Sequence, residues 1–331
     1  MRHLLRVVYT PLMAVIQQAN TMQKILDPHL HFFDLSKGKY AWLKPQNPPF
    51  WPDKHIIARN MMPGQIVLND RFNFVGGVHI EAGFDNGEPQ KELHCLESDI
   101  YNLTPHFHFK SIAYINLLKS QNDFQLQMEN LMISPTFVGV RCIFDDIMLD
   151  VSRQSKVLDN MKFLEKMGII FEFQISVCDD VSTNALINLV SAVPELCVVI
   201  NHAGLPPLSS LSSISIPGNT ESSNKYGSSL WVSWKQNLAF FAKLPNCFIK
   251  CSGFEMQDRN YTREHVLKVI SFVHTLFGNE RLMLASNFPL TLLSTSYSHY
   301  WQLLHDCAES AGLSSEQLMY SNAKRIYGFD C

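Results

Sequence analysis

The chain has 331 residues, of which 46% are apolar and 17% are charged, and its formal net charge is −3. This composition allows a large buried core and argues against a disordered chain. The small negative charge, without a basic block, disfavours the phosphate neutralisation on which nucleic-acid binding depends. A chain of this length can hold two ordinary domains or one large α/β barrel.

The first 22 residues differ in character from the rest of the chain. Arg2 and Arg6 precede a weakly apolar stretch that ends near Ile16. This stretch is too short and too interrupted to span a membrane, and it has no clear small-x-small cleavage site. We expect residues 1–22 to be a poorly ordered N-terminal extension, and residues 23–331 to form a single domain.

Eight short apolar runs of strand character alternate with amphipathic, helix-like segments. The runs are 24–31, 74–81, 111–116, 137–143, 169–175, 197–202, 247–252 and 281–286, and the helical segments include 153–167, 181–193, 230–243 and 262–277. This alternation predicts parallel β-α-β units, and eight of them predict an α/β fold of the (β/α)8 TIM-barrel type. A doubly wound open sheet is the alternative, but no glycine-rich phosphate loop follows the first run.

Two connections are longer than barrel loops usually are. Residues 34–70 follow strand 1 and contain Trp42 and Trp51, and residues 205–229 follow strand 6 and are rich in Ser, Pro and Gly. Loops that follow strands lie at the C-terminal mouth of a barrel, where active sites are built. We therefore expect both loops to act as lids rather than linkers.

The first strand ends in Asp27-Pro28-His29-Leu30-His31. Residues two apart on a strand point to the same face, so His29 and His31 can direct two imidazoles at one point, with Asp27 one step deeper on the same side. Two convergent imidazoles can begin a divalent metal site. The alternative is one histidine bonded to a backbone carbonyl and one solvated.

Polar residues also interrupt most of the other apolar runs close to their C-terminal ends. Any one of them has a structural explanation: Glu81 can pair with a cation, His202 can be a core histidine, and Asn287 can cap a turn. A shared pocket at the barrel mouth accounts for all of them together. They are His79, Glu81, Arg141, Glu172, Gln174, His202 and Asn287.

In these motifs the chain resembles the amidohydrolase-related, metal-dependent hydrolases with a TIM-barrel fold, which include sugar lactonases and 2-pyrone-4,6-dicarboxylate hydrolase. The resemblance extends from residue 25 to residue 329. The matching segments are Asp27-Pro28-His29-Leu30-His31-Phe32, Val78-His79-Ile80-Glu81-Ala82-Gly83, Val138-Gly139-Val140-Arg141, Asn201-His202-Ala203-Gly204-Leu205-Pro206, Ser252-Gly253, Ser286-Asn287-Phe288-Pro289 and Asn322-Ala323-Lys324-Arg325-Ile326-Tyr327-Gly328.

The resemblance implies that His29 and His31 are metal ligands or polarising groups, and that Arg141 binds an acidic or polyhydroxylated substrate. One departure matters for the chemistry: the family commonly has aspartate on strand 8, where this chain has Asn287. A carboxamide accepts no proton at neutral pH and is a weak, uncharged ligand. We therefore expect at most one divalent ion, Zn or Mn, weakly bound or dispensable.

We assign Glu81, His202 and Asn287 to catalysis, and His29, His31 and Glu81 to the metal. Arg141, Gln174, His79 and Trp42 are assigned to substrate binding. The expected function is hydrolysis of a lactone or related carboxylic ester of a small polar or acidic metabolite, because such esters tolerate a weak base. The alternatives are a metal-dependent decarboxylase of the same superfamily and a catalytically impaired, metabolite-binding barrel.

The cysteine pattern bears on the cellular compartment. Eight cysteines form no C-x-x-C motif, and those in apolar runs indicate buried thiols in a reducing compartment, so we expect a cytoplasmic protein. We expect a small-molecule substrate, no nucleic acid and no membrane as partners, and we leave open whether the chain forms a homodimer.

Overall fold

The computed structural model describes residues 22–104, 107–210 and 221–330. Eight strands form one parallel sheet in the order of the sequence, which confirms the predicted (β/α)8 barrel. Residues 1–21 of the predicted N-terminal extension lie outside the described residues. The strands are β1 Gln23–Leu30, β2 Phe72–Ile80, β3 His108–Tyr114, β4 Phe137–Ile143, β5 Ile170–Gln174, β6 Val198–Ile200, β7 Cys247–Cys251 and β8 Leu282–Leu284.

The barrel closes between β8 and β1 through the backbone of predicted site residues. The amide of Asn287 donates to the carbonyl of His29 at 2.9 Å, and the amide of His31 donates to the carbonyl of Phe288 at 2.6 Å. Leu30 and Phe288 form an isolated parallel bridge at the same place. Closure of the barrel therefore fixes the two strand-1 histidines against Asn287.

Helices surround the sheet. They are α1 Gln90–Leu103, α2 Gln121–Met132, α3 Met148–Ser152, α4 Ser155–Met167, α5 Asp180–Ser191, α6 Glu221–Ala242, α7 Phe254–Gln257, α8 Arg263–Phe277, α9 Tyr297–Ser310 and α10 Asn322–Tyr327. Helix α6 begins inside the loop predicted for 205–229, of which 211–220 lie outside the described residues. Within the described ranges, no helix is long and apolar enough to cross a membrane.

Two apolar cores hold the barrel together. The larger one packs the helices against the outside of the sheet. The smaller one joins inward side chains of several strands, such as Leu26, Val78 and Ile80, with Tyr320 and Tyr327 from the C-terminal segment. The C-terminal segment therefore seals one end of the barrel, and the polar strand ends lie at the other.

The long loop after β1 is fastened over the mouth by specific contacts. The indole N–H of Trp42 donates to the carbonyl of Ala82 at 2.7 Å. Arg259 forms an ion pair with Asp53 at 2.7 Å and lies over the ring of Trp51, with 4.9 Å between the guanidinium carbon and the ring centroid. These contacts hold the loop as a fixed wall of the mouth in this structure.

Candidate active site

A cavity of about 490 Å³ opens at the C-terminal ends of the strands. Its polar lining comes from the strand ends, and its apolar lining comes from the loops that follow them. Seven of the predicted site residues line it: His31, Trp42, Glu81, Arg141, Gln174, His202 and Asn287. The structure therefore brings together residues at the ends of β4 and β5 and in the segments directly after β1, β2, β6 and β8 in one pocket, as a shared site requires.

His31 is held in one orientation by backbone acceptors. Its Nδ1 lies 2.9 Å from the carbonyl of Ile80 and 3.2 Å from that of Glu81, so Nδ1 carries the proton and donates it. Burial, with a smaller contribution from the Arg141 cation, lowers the pKa of His31 to about 3. The imidazole is therefore neutral, and its Nε2 presents a lone pair. That Nε2 lies 3.3 Å from Oδ1 of Asn287.

His29 and His202 complete a cluster of three imidazoles. The ring centroid of His29 is 5.1 Å from that of His31 and 4.5 Å from that of His202. Burial lowers the pKa of both His29 and His202 well below the usual range. Both ring nitrogens of His29 are buried without a hydrogen bond to any described residue. The cluster thus presents neutral nitrogens with free lone pairs.

Ser252 and Gly253 position His202 from the adjacent strand. Nδ1 of His202 lies 2.9 Å from the hydroxyl of Ser252. Gly253 has φ +68°, and a Cβ built there would lie 2.5 Å from Nδ1 of His202. The Ser-Gly pair after β7 therefore gives His202 both a hydrogen-bond partner and the space for its ring.

Glu81 and Arg141 are bound to each other. Nη2 of Arg141 is 2.5 Å and Nε is 2.9 Å from the same carboxylate oxygen, and Nη2 also donates to the carbonyl of Glu81 at 3.0 Å. Both side chains are nearly buried. Burial raises the pKa of Glu81, and the charge of Arg141 opposes that rise. The Glu81 carboxylate is therefore committed to the guanidinium, and the cation predicted for substrate is already paired.

The structure corrects the placement of two residues at the strand ends. His79 lies between Val78 and Ile80 of the inner core, and it points away from the cavity. Its Nδ1 accepts from the amide of Phe32 at 3.1 Å, and its Nε2 lies 3.2 Å from Glu92 on α1. The predicted common face of His79 and Glu81 is wrong because β2 ends at Ile80, so strand alternation does not extend to Glu81.

Asp27 also departs from the predicted direction. Its carboxylate accepts from the hydroxyl of Tyr297 at 2.9 Å and from the hydroxyl and amide of Ser286. The register between β1 and β2 shifts between Asp27 and Leu30, which separates Asp27 from the phase of the two histidines. Asp27 therefore joins β1 to β8 and α9 instead of pointing with the imidazoles.

The side-chain amide of Asn287 is hydrogen-bonded to Glu255, a residue that the sequence patterns do not single out. Nδ2 of Asn287 donates to Oε1 of Glu255 at 2.6 Å. Glu255 is fully buried, its Oε2 has no hydrogen-bond partner in the described part of the chain, and burial raises its pKa to about 7. Its sequence signal is weak: an acidic residue soon after a strand end also fits a solvated helix start.

The sequence patterns also leave a second buried ion pair unrecognised. Lys250 on β7 contacts Glu172 on β5 at 2.6 Å, and the hydroxyl of Tyr327 donates to the other oxygen of Glu172 at 2.7 Å. Both charged side chains are fully buried, and neither lines the cavity. A signal for this pair exists, because Lys250 interrupts an apolar strand in the same way as Arg141 does.

Backbone strain is concentrated at the same strand ends. His202 has φ 53° and Asn287 has φ 63°, and Ala203 and Leu205 are also in the left-handed region. Non-glycine residues are held there at a cost of about 1–3 kcal/mol each, and such positions cluster at functional sites. Two of the predicted catalytic residues thus lie on strained backbone beside the cavity.

In the described ranges, no group of three or more His, Cys, Asp or Glu side chains is arranged to hold a metal ion. A metal at this mouth would therefore depend on the amide oxygen of Asn287 as well as on imidazoles. The one unprotonated ring nitrogen of neutral His29, Nε2 of His31 and Oδ1 of Asn287 are the electron-pair donors available to it.

Similarity to known proteins identifies the family. The family model described as Amidohydrolase matches residues 118–329, which is more than half of the chain. The chain belongs to the amidohydrolase family. The match includes Arg141, His202 and Asn287 and begins after the strand-1 histidines and Glu81, whose place in the site rests on the geometry of the cavity.

Two relatives have similar sequences. An uncharacterised protein, y4mH, of Sinorhizobium fredii is 23% identical over 314 residues, covering 92% of this chain and 98% of that protein. An L-rhamnono-gamma-lactonase of Scheffersomyces stipitis is 23% identical over 234 residues, covering 65% of this chain and 63% of the lactonase.

Solved structures support the fold. A zinc-bound amidohydrolase from Burkholderia multivorans superposes with a TM-score of 0.68 at 17% identity, covering 93% of this chain and 99% of that one. A 2-pyrone-4,6-dicarboxylic acid hydrolase, described as putative, from Pseudomonas putida superposes with a TM-score of 0.57 at 17% identity, covering 94% and 100%. A 2,6-dihydroxybenzoate decarboxylase superposes with a TM-score of 0.56 at 12% identity, covering 93% and 99%.

Proposed function

We propose that this amidohydrolase-family protein hydrolyses a lactone or related carboxylic ester at the mouth of its barrel. The observation that carries the proposal is the cluster of three neutral imidazoles beside a fixed arginine: His31, His202 and Arg141 line the cavity, and His29 lies buried against both histidines without lining it. Neutral imidazoles can orient and deprotonate water, and a fixed cationic donor can stabilise an oxyanion. The sequence similarity to a rhamnono-lactonase favours the same chemistry.

Arg141 suits the role of an oxyanion donor. Nε and Nη2 are held by Glu81, which fixes the plane of the guanidinium. Nη1 is the group left to donate to a carbonyl oxygen in the cavity. A donor that is fixed before the reaction needs no rearrangement as charge develops, which makes it effective in a buried site.

The attacking water can be bound by His31 and Asn287 and deprotonated by His202. Nε2 of His31 and Oδ1 of Asn287 face each other and can both accept from the same water molecule. The hydroxyl of Ser252 occupies Nδ1 of His202, which leaves Nε2 of His202 to take a proton or return it to the leaving alkoxide. An ester demands less of these neutral groups than an amide does, because its leaving group is better.

The donors also fit one divalent ion, held by His29, His31 and Asn287. The fit rests on the unpartnered ring nitrogens of His29 and on the proton of His31 being fixed on Nδ1. When bound, such an ion supplies Lewis acidity and a more acidic water. Because all three donors are uncharged, we expect weak retention.

The charge balance of the cavity favours an uncharged substrate. Glu81 cancels the charge of Arg141, Gln174 adds no charge, and the other charged residue of the lining, Asp145, is acidic, so the lining offers no net positive charge to an anionic substrate. The loops contribute apolar walls, including Trp42, Trp51 and Leu290. We therefore propose a neutral lactone whose carbonyl lies near the histidines and whose remaining atoms contact the apolar walls, in preference to the dicarboxylate class.

A metabolite-binding barrel without turnover is the competing function, and Asn287 favours it because it removes the strand-8 carboxylate. The contacts among the described cavity residues do not favour a decarboxylase, since Arg141, the arginine that lines the cavity, is already paired with Glu81.

The test is proton release in weak buffer with a panel of γ- and δ-lactones, which yields one proton for each ring opened. We compare the wild type with His202→Asn, because asparagine tolerates the left-handed backbone at this position. His305→Asn is the matched control, since His305 is also nearly buried but does not line the cavity. We expect kcat/KM to fall about 10²–10⁴-fold for His202→Asn and to change little for the control. Wild-type rates equal to buffer would favour the binding barrel.

A further inference from the structure

The side-chain amide of Asn287 has two ends, and its surroundings decide which end faces the cavity. One end lies 3.3 Å from Nε2 of His31, and the other lies 2.6 Å from Oε1 of Glu255. Since Nδ1 of His31 donates to backbone carbonyls, Nε2 is an acceptor. On this side alone, the amide would turn its N–H₂ end toward His31, because a donor would then meet an acceptor.

Glu255 imposes the opposite orientation. In the ionised form of Glu255 both carboxylate oxygens are acceptors. If the amide turned over, its oxygen would then lie 2.6 Å from one of them, and two acceptors at that distance repel each other. Glu255 cannot retreat, because it is fully buried on the short helix α7 that follows β7. No Lys or Arg in the described ranges forms an ion pair with its carboxylate, and the amide N–H₂ of Asn287 is the side-chain donor that contacts it.

We propose that Glu255 is a positioning residue that turns the amide oxygen of Asn287 toward His31. The result is two acceptors, Oδ1 and Nε2, facing each other at 3.3 Å. Such a pair is unfavourable when empty and favourable when both atoms bind one electron-pair acceptor, for which we propose a divalent cation. Glu255 thus compensates for the missing strand-8 carboxylate by fixing an uncharged oxygen where the site needs one. The inference rests on the proposed function only for what the pair finally binds.

The experiment is a double-mutant cycle with Zn²⁺ as the probe. Competition with a chromophoric chelator measures the zinc affinity of the metal-stripped wild type, Glu255→Met, Asn287→Asp and the double variant. Glu255→Met removes the acceptor that holds the N–H₂ end, so the amide can turn its donor toward Nε2 of His31. We expect zinc affinity to fall about 10–100-fold, the usual effect of losing a group that orients a ligand.

The Asn287→Asp background separates a positioning role of Glu255 from a structural one, because both ends of a carboxylate are oxygen. In that background Glu255 has no orientation to fix, and its charge repels the new carboxylate. We therefore expect Glu255→Met to leave zinc affinity unchanged or raise it, so that the loss seen with Asn287 disappears or reverses. A residue that only supports the fold would lower affinity in both backgrounds.

Glu92→Met is the matched control. Glu92 is also a buried carboxylate with a raised pKa of about 7, and it contacts the amide of Ala82 and His79 instead of Asn287. We expect it to lower stability and to have the same effect on zinc affinity in both backgrounds. Equal zinc affinity in the wild type and Glu255→Met, or no zinc binding by the wild type, would overturn the proposal. Because the assay needs no turnover, failure of the lactonase proposal alone would leave this result intact.

Discussion

The barrel contains two buried pairs of opposite charge that differ in what surrounds them. Glu81 and Arg141 meet at the mouth, where both side chains line the cavity. Glu172 and Lys250 meet deeper, where neither is exposed and Tyr327 covers the second carboxylate oxygen. The Glu81–Arg141 pair, called the upper pair below, leaves Nη1 of Arg141 for a ligand. The Glu172–Lys250 pair, called the lower pair, is enclosed by the protein.

The difference shows that a buried charge in an apolar strand does not by itself indicate a site. Both Arg141 and Lys250 interrupt apolar strands, and each finds its carboxylate on another strand or strand end. Their functions diverge because Arg141 lies beside the imidazoles at the mouth, while Lys250 lies below them. We interpret the upper pair as a preorganised part of the site and the lower pair as part of the frame.

Breaking the lower pair should have the largest effect on stability. Lys250→Met leaves the carboxylate of Glu172 buried without a cation, so we expect the free energy of unfolding to fall by about 3–5 kcal/mol in urea denaturation. Adding Glu172→Gln removes the uncompensated charge and should restore most of the loss. If the double variant is no more stable than the single variant, the pair is not what stabilises this layer.

Breaking the upper pair should affect activity more than stability. Arg141→Met removes the fixed donor, and we expect kcat/KM for the best lactone to fall about 10²–10³-fold, as for loss of an oxyanion donor. The free energy of unfolding should fall by only about 1–3 kcal/mol, because cavity water can solvate Glu81. A stability loss equal to that of Lys250→Met, with kcat/KM unchanged, would show that Arg141 stabilises the fold and takes no part in catalysis.

The smallest effect is expected for Glu81→Gln. The amide oxygen still accepts from Arg141, so the guanidinium keeps its position, and we expect kcat to change less than about 10-fold. This outcome would also show that Glu81 is not the general base, whose removal costs about 10²–10⁴-fold. A loss in that larger range would restore Glu81 to the catalytic role that the sequence predicts.

The sequence predicts the barrel well because apolar runs and their spacing report burial directly. The meeting of His31, Arg141, His202 and Asn287 is also predictable, because polar residues at strand ends of a barrel share one mouth. The direction of the His79 side chain relative to Glu81 is not predictable in this way. Side chains alternate between the two faces only within a strand, and β2 ends at Ile80, before Glu81.

Which buried charged and polar side chains contact each other could not be predicted from the sequence, for a different reason. That Glu81 meets Arg141 and that Lys250 meets Glu172 depends on how the strands are arranged around the barrel and on depth within it. Glu255 carried no distinctive pattern, because its contact with Asn287 is created by the turn at Gly253 and the short helix after it. The periodicity of apolar residues indicates which face of one strand or helix is buried. It does not indicate which residues of two different elements contact each other.

The central claim, that Glu81 already balances the charge of Arg141, is tested most directly with two lactones of equal ring size. One carries a neutral apolar substituent, and the other carries a carboxylate at the same position. We predict that kcat/KM for the neutral lactone is at least about 10-fold higher, because a second carboxylate would be desolvated without a partner. A preference for the carboxylated lactone that disappears in Arg141→Met would contradict this claim, since Arg141 would then be binding substrate charge.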